Sequence, residues 1–194
     1  MSNITTPKAG RFANPDATVI DDPRLDPRIK AVLAMVDSFA PGLEAPALKA
    51  DYETCLDYAN EFERVAALPH PDLLANMPEF ASVTSSTEVI RGIDGNDIKL
   101  FIHRPTNMDG PLPCIVHIHG GGMVIMTAED PDYIRWRNSL AEAGVVVVGV
   151  EYRNGAGRLG PHPFPAGLND CASAVKWVDQ NRSSLSISNI VVSG

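Results

Sequence analysis

The spacing of apolar residues first changes near residue 84. Before that point apolar residues recur every three or four positions, which is the period of an amphipathic helix. A first helix is predicted to begin at Asp26-Pro27, with the aspartate as N-cap and the proline in the first turn, and to end at Pro41-Gly42. A second helix is predicted over residues 47–67, with Cys55 in its apolar stripe.

Residues 1–84 are therefore predicted to form an N-terminal arm and a helical cap. The first 25 residues are polar and rich in proline and aspartate, which is typical of an extended, weakly ordered segment. The helices have two interpretations that the sequence leaves open. They pack as ordinary core helices, or they cover a pocket in the domain that follows.

After residue 84 the apolar residues alternate or form continuous runs, as they do in strands. The runs Thr87–Arg91 and Ile98–Ile102 flank Asp94-Gly95-Asn96, a sequence typical of a β-hairpin. Three further runs, rich in β-branched residues, are predicted to be buried strands: Cys114–His119, Val145–Val150 and Asn189–Ser193.

Helical spacing separates these three strands. One helix is predicted to begin at Asp130-Pro131, with Ile134 facing inward, and another to span Leu168–Val178. The alternation of strand and helix predicts an α/β domain over residues 85–194, with a mostly parallel sheet and right-handed crossovers. The last strand would lie at an open edge of that sheet. An exposed edge strand can pair with other chains and aggregate, so the chain is expected to be truncated there.

The amino-acid composition and the charge argue against some classes of function. The 194 residues are 44% hydrophobic and 21% charged, with a formal net charge of −8, as expected for a soluble globular protein. This acidity argues against a nucleic-acid partner, whose binding surface would be basic. The N-terminus lacks the apolar segment of a secretory signal, and the longest apolar run, Ala143–Val150, is too short to span a bilayer. A cytoplasmic location without a membrane partner is therefore expected.

The three cysteines, Cys55, Cys114 and Cys171, are far apart and form no C-x-x-C pair. This pattern argues against a disulfide framework and against a structural zinc site. All three are interpreted as reduced thiols in the core.

The strongest chemical signal is His119-Gly120-Gly121-Gly122, at the end of the predicted strand Cys114–His119. A tight turn needs one glycine, whereas three in succession also let another molecule approach the backbone N–H groups closely. Unpaired N–H groups at the end of a strand are suited to stabilise a developing oxyanion. A loop of this composition is the oxyanion donor in lipases and esterases.

Two other motifs carry weaker signals. His117 and His119 point the same way from a strand, as two metal ligands would, but no third ligand has a matching place, so structural hydrogen bonding is favoured and no metal is expected. Gly155–Gly160 fits G-x-G-x-x-G, but three prolines follow at once and prevent a helix from beginning there. A flexible loop is favoured over a nucleotide site, and no cofactor is expected.

The stretch His162–Ala166 contains two prolines and is interpreted as a rigid connection into the next helix. Asp170 in that helix is hypothesised to orient neighbouring backbone or Arg153. At the end of the last predicted strand, Val191-Val192-Ser193-Gly194 is typical of the start of a G-x-S-x-G nucleophile elbow. Gly194 would be the first glycine, because Ser193 lacks the flanking glycines that the motif requires.

These motifs resemble those of the hormone-sensitive-lipase-like esterases, and most closely the brefeldin A esterase type. The resemblance covers residues 85–194 and rests on four motifs in order: His119–Gly122, Glu151-Tyr152-Arg153 (usually Asp-Tyr-Arg in the family), His162–Ala166 before Asp170, and Ile190–Gly194. It implies the N-terminal half of an α/β-hydrolase fold with an N-terminal helical cap. The loop over residues 154–160 departs from the family's usual Leu-Ala-Pro-Glu.

The resemblance also implies the activity of a serine carboxylesterase on small or medium ester substrates. Gly121 and Gly122 would supply two oxyanion-hole N–H groups, and the nucleophile, acid and base would follow Gly194. None of the five histidines is then expected to be the catalytic base, and the 194-residue chain alone is expected to be inactive. Two alternatives remain open: a non-catalytic ligand-binding protein on the same fold, or an inactive truncated fragment.

Overall fold

A computed structural model describes residues 19–39, 43–68 and 73–194. The chain divides between residues 43 and 44 into two units. Residues 1–18 of the predicted arm and the predicted helix stop at Pro41-Gly42 lie outside the described residues.

The first unit contains a 3-10 turn, Val19–Asp21, and helix α1, Pro27–Phe39. The Asp26 carboxylate accepts a hydrogen bond from the N–H of Arg28 at 2.8 Å. This bond satisfies one of the free N–H groups at the start of a helix. The predicted helix start at Asp26-Pro27 is therefore confirmed.

The second unit opens with helix α2, Tyr52–Ala66, which begins later than predicted. Asp51 sets its start, because the Asp51 side chain accepts a hydrogen bond from the N–H of Thr54 at 2.8 Å. The predicted apolar stripe does not face the core: Tyr52 is 66% exposed and Cys55 is exposed as well.

The buried residues of α2 are Glu63 and Val65. The prediction of three core thiols is therefore wrong for Cys55 and confirmed for Cys114 and Cys171, which are buried and free. The error follows from the helix's surroundings. The inner face of α2 meets polar loops of the domain, so its buried side is not its most apolar one.

Five strands form one mixed sheet in the order β1-β2-β4-β3-β5. The strands are β1 (Val83–Arg91), β2 (Asp97–Pro105), β3 (Leu112–Ile118), β4 (Val146–Glu151) and β5 (Ile187–Ser193). β2 runs antiparallel to both of its neighbours, while β4, β3 and β5 run parallel. The predicted hairpin and α/β sheet are confirmed, and β5 lies at the edge as expected.

Two helices cross between the parallel strands: α3 (Pro131–Glu142) links β3 to β4, and α4 (Ala166–Gln180) links β4 to β5. On one face of the sheet an apolar core includes Leu100, Val116 and Val148, packed with Cys171 and Val178 of α4. Burial of this apolar face is the main source of stability for the domain. No helix in the described part of the chain is both long and apolar enough to span a membrane.

The opposite face of the sheet carries buried polar side chains as well as apolar ones, and it lies near α3. Arg137 of α3 is only 1% exposed, whereas Ile134, predicted to face inward, is 37% exposed. Gly149 of β4 makes room for the arginine, because a Cβ there would lie 2.8 Å from Arg137 Cδ. The guanidinium donates to His103 Nε2 at 3.0 Å and to the carbonyl of Ala128 at 2.7 Å.

The apolar face of the sheet gives a first prediction. Val148→Ala should lower the free energy of unfolding by about 2 kcal/mol, because Val148 is fully buried in the central strand and its lost methyl groups leave a cavity. The matched control is Val191→Ala, which removes the same atoms from an edge-strand residue that is 59% exposed and should cost less than about 0.5 kcal/mol. Urea unfolding measures both, and equal losses would contradict this description of the core.

Candidate active site

The glycine loop follows β3 directly and turns back on itself. The carbonyl of Gly121 accepts hydrogen bonds from the N–H groups of Val124 at 3.1 Å and Ile125 at 3.2 Å. Gly121 and Gly122 have φ angles of 104° and 65°, and Met123 continues the left-handed backbone with a φ of 58°. This region of φ suits glycine and is strained for methionine.

The two glycines are required for different reasons. A Cβ on Gly121 would overlap the carbonyl oxygen of Ile125, so a side chain has no room there. A Cβ on Gly122 would meet nothing within 4 Å, and glycine there serves the backbone conformation. Within the described residues, neither N–H group donates a hydrogen bond, so both are available to an incoming acceptor.

A pocket of about 500 Å³ lies beside this loop. Its lining is mostly apolar and comes from the glycine loop, the start of α2 and the connection into α4. The main lining residues are Tyr52, Gly122, Met123, Val124, Phe164 and Leu168. Gly122 therefore borders a space that suits an apolar ligand, and Gly121 is its neighbour in the chain.

His119 anchors the start of the loop. Its imidazole stacks on the Tyr152 ring, with centroids 4.1 Å apart, and its Nδ1–H donates to the carbonyl of Gly120 at 2.8 Å. The Tyr152 hydroxyl donates to the carbonyl of His119 at 2.7 Å. His117 and His119 are both buried, and the described residues contain no group of three or more possible metal ligands. The hydrogen bond to Gly120 gives His119 the structural role favoured from the sequence, whereas Nδ1 of the buried His117 has no hydrogen-bond partner among the described residues.

Glu151 at the end of β4 is buried beneath the loop. It accepts a hydrogen bond from the N–H of Ala128 at 2.8 Å, and its Oε1 lies 3.8 Å from His119 Nε2. Burial raises the pKa of Glu151 to about 7 and lowers the pKa of His119. His119 is therefore neutral near pH 7, and its contact with Glu151 is not an ion pair.

Asp170 and Arg153 confirm the hypothesis made from the sequence. Asp170 accepts hydrogen bonds from the backbone N–H of Arg153 at 3.0 Å and from its guanidinium at 2.8 Å. Asn96 of the hairpin adds a third donor at 3.0 Å. Burial alone would raise the pKa of Asp170, but these hydrogen bonds outweigh it and hold the pKa below its ordinary value. The pair fixes the connection between β4 and α4, which lines the pocket.

The loop over Gly155–Gly160 contains a 3-10 turn, Gly157–Leu159, and no helix begins until Ala166. It is fastened to the glycine loop: the N–H groups of Gly155 and Ala156 donate to the carbonyls of Met123 at 2.9 Å and Val124 at 2.7 Å. A Cβ on Gly157 would lie 2.7 Å from Glu63 Oε2, and one on Gly160 would lie 2.5 Å from the carbonyl oxygen of Ala156, so these two glycines allow close packing against α2 and within the loop.

Sequence reasoning missed two side chains that hold these loops. Glu63 of α2 accepts hydrogen bonds from the N–H groups of Met126 and Arg158, and Asn154 donates to the carbonyl of Met126 at 2.6 Å. No local motif marks either residue. Glu63 occupies an ordinary polar position in a helix, and only the tertiary fold brings it to the site.

The histidines lie in different surroundings. His103, His117 and His119 are buried in the polar face of the sheet, and His70 lies outside the described residues. His162 is exposed and lines the pocket.

The proteins to which this chain is similar include a carboxylesterase. The family model BD-FAE matches residues 100–194. Carboxylesterase NlhH from Mycobacterium tuberculosis is 33% identical over 114 residues, which are 58% of this chain and 34% of that protein. Tuliposide A-converting enzyme b1 from Tulipa gesneriana is 34% identical over 107 residues, which are 53% of this chain and 27% of that protein.

Solved structures match over most of the chain. Brefeldin A esterase, described as a bacterial homologue of human hormone-sensitive lipase, has a TM-score of 0.78 and 38% identity over 89% of this chain. The chain has an α/β-hydrolase fold that matches about half of the brefeldin A esterase structure. Esterase Est22 has a TM-score of 0.75 and 33% identity. The chain spans 48% of the first structure and 52% of the second, and 27–34% of the two curated relatives.

The glycine loop of this hydrolase fold gives a second prediction. Gly121→Ala should lower the free energy of unfolding by about 1–3 kcal/mol more than Gly110→Ala, because the new Cβ overlaps the Ile125 carbonyl. Gly110 is a matched control, because its φ is 82° and a Cβ there would meet no atom within 4 Å. Chemical denaturation compares the two variants, and similar losses would show that the Gly121 loop adjusts freely.

Glu151 gives a third prediction. Its pKa is about 7 in the folded protein and near 4.5 without burial, so the folded state holds the proton more tightly than the unfolded chain does. The free energy of unfolding should therefore fall as pH rises from about 4.5 to about 7, by on the order of 3 kcal/mol at most. Glu151→Gln should remove this part of the pH dependence, because an amide does not titrate and its oxygen can still accept from Ala128.

The control for this prediction is Glu88→Gln, at an exposed position of β1. Thermal midpoints measured between pH 4.5 and pH 8 compare the variants with the parent chain. An unchanged pH profile in Glu151→Gln would contradict the assignment.

Proposed function

We propose that this chain supplies the oxyanion-stabilising part of a serine carboxylesterase acting on small or medium ester substrates. The observation that carries the proposal is the pair of unbonded N–H groups at Gly121 and Gly122, beside a mostly apolar pocket of about 500 Å³. An ester places a polar carbonyl next to apolar groups, which is the combination that such a site accommodates.

The chemistry follows from the geometry of the loop. When a serine attacks an ester carbonyl, negative charge develops on the carbonyl oxygen. Fixed N–H donors stabilise that charge without reorganising during the reaction. The strained turn at Gly121–Met123 and its bonds to Val124 and Ile125 support such a fixed arrangement.

The position of β5 supports a nucleophile close to this loop. β5 runs parallel to β3, with Ser193 paired in register with His117, and a Cβ on Gly194 would lie 3.3 Å from Ile118. A G-x-S-x-G elbow starting at Gly194 would thus begin at the sheet edge where the glycine loop begins. The proposal assigns the nucleophile, acid and base to residues outside 1–194, and none of these roles to the five histidines.

The comparisons support the reaction class. The names of carboxylesterase NlhH, brefeldin A esterase and esterase Est22 all describe ester hydrolases. By this proposal the partner is a small ester, and the start of α2 covers part of its pocket, where Tyr52 contributes to the lining. The cap role of the other residues in 1–84 and the cytoplasmic location stay predictions from the sequence.

The test is hydrolysis of p-nitrophenyl butyrate by the full protein that carries this chain. Gly121→Ala should lower kcat by about 10²–10³-fold with little change in KM, since displacing an oxyanion donor removes a contact made mainly in the transition state. Gly110→Ala is the control and should keep its activity. The 194 residues alone should show no turnover.

Two results would contradict the proposal. A parent protein that binds the ester without turnover would indicate the non-catalytic binding alternative. A burst of hydrolysis by the 194-residue chain that disappears in Gly121→Ala would show that the catalytic groups lie within it.

A further inference from the structure

We infer that Glu63 of α2 is a positioning residue for the loop that carries Gly121 and Gly122. Its side chain is buried, at 5% exposure, and bridges two segments. Oε1 accepts from the N–H of Met126 at 2.5 Å, and Oε2 accepts from the N–H of Arg158 at 2.7 Å. The inference rests on the proposed function only for what the positioned loop does.

The first contact, with Met126, holds a residue whose backbone conformation is strained. Met126 has a φ of 72°, a left-handed conformation that a methionine rarely adopts without support. Both of its backbone polar groups are held by side chains: the N–H by Glu63, and the carbonyl by Asn154 Nδ2 at 2.6 Å. Strain of this kind persists only where the surroundings fix it. Glu63 is therefore part of what keeps Met126 in place.

A short path leads from Met126 to the oxyanion donors. The neighbouring Ile125 donates its N–H to the carbonyl of Gly121, and its own carbonyl occupies the space where a Gly121 side chain would lie. A shift of Met126 therefore moves Ile125 and, through it, Gly121. This tight packing leaves little freedom to absorb the movement.

The second contact, with Arg158, holds the loop over Gly155–Gly160. Asn60, one turn before Glu63 on α2, accepts from the N–H of Gly157 at 2.8 Å, and a Cβ on Gly157 would lie 2.7 Å from Glu63 Oε2. This loop also donates to the carbonyls of Met123 and Val124. One turn of α2 thus accepts hydrogen bonds from both loops, so its role goes beyond covering a pocket.

The carboxylate suits this role better than an amide does. It offers acceptor oxygens to two N–H groups that approach from different segments, and hydrogen bonds to an ionised acceptor are short and strong. The Arg158 guanidinium lies 3.7 Å from Glu63 Oε2 and also pairs with Asp130. A glutamine would turn its NH₂ group toward one of the two donors and lose that bond.

The experiment compares Glu63→Gln with Glu61→Gln in the ¹⁵N-labelled 194-residue chain. Glu61 lies on the same helix, but its side chain is 46% exposed and pairs with Arg64. In Glu63→Gln, hydrogen exchange at the N–H groups of Met126 or Arg158 should accelerate at least about tenfold. The order parameters of Gly121 and Gly122 should fall from about 0.85 toward 0.6.

Two internal controls separate loop positioning from general stability. Exchange at Val148 in the central strand should stay unchanged in Glu63→Gln, and Glu61→Gln should leave every value unchanged. Glu63→Asp, which keeps the charge but is one methylene too short to reach both loops, should reproduce the local change in milder form.

Unchanged order parameters at Gly121 and Gly122 would overturn the inference. A uniform rise in exchange that includes Val148, in both Glu63 variants, would also overturn it, because Glu63 would then support the whole fold. None of these readouts needs turnover. If the loop responds as expected while the parent protein hydrolyses no ester, the proposed function fails and the positioning role stands.

Discussion

A strained turn held by buried polar groups is the constraint on which the candidate site depends. Left-handed backbone at Met123 and Met126 is unfavourable by roughly 1–2 kcal/mol per residue, so the turn needs support from outside itself. Glu63 on α2 and Asn154 after β4 hold Met126, and the stacked pair His119 and Tyr152 holds the start of the loop. Together they fix the direction of the glycine N–H groups, and fixed direction is what oxyanion stabilisation requires.

The two faces of the sheet have different roles: one stabilises the domain, and the other supports the loops of the candidate site. The face toward α4 is apolar and continuous, and its burial stabilises the domain. The face toward α3 carries histidines, Glu151 and the buried Arg137, and it supports the loops at the carboxyl ends of β3 and β4. Buried polar and ionisable groups of this kind destabilise a fold unless they are hydrogen-bonded or paired. Their presence beneath the glycine loop is therefore better explained by the site than by the core.

Local signals allowed the strands, the hairpin and the glycine loop to be predicted from sequence. Valine runs, Asp94-Gly95-Asn96 and three consecutive glycines are patterns of neighbouring residues, so they indicate strands, a hairpin and a loop without knowledge of the tertiary fold. The failures all involve tertiary context. Arg137 is buried, and Ile134 is exposed against expectation, because Gly149, on another element, leaves room for an arginine. Glu63 could not be predicted as part of the site, because its carboxylate oxygens accept hydrogen bonds from loops far along the chain. No pattern of spacing in the sequence indicates such contacts.

The central claim is that the N–H groups of Gly121 and Gly122 bind an oxyanion. The most direct measurement is an NMR titration of the ¹⁵N-labelled chain with butylphosphonate, whose oxygens stand in for the charged oxygen of the tetrahedral intermediate. We predict downfield proton shifts at the amides of Gly121 and Gly122 that saturate together, with the amide of Gly110 unmoved. Shifts confined to other residues, or none at these two glycines as the anion saturates the protein, would contradict the claim.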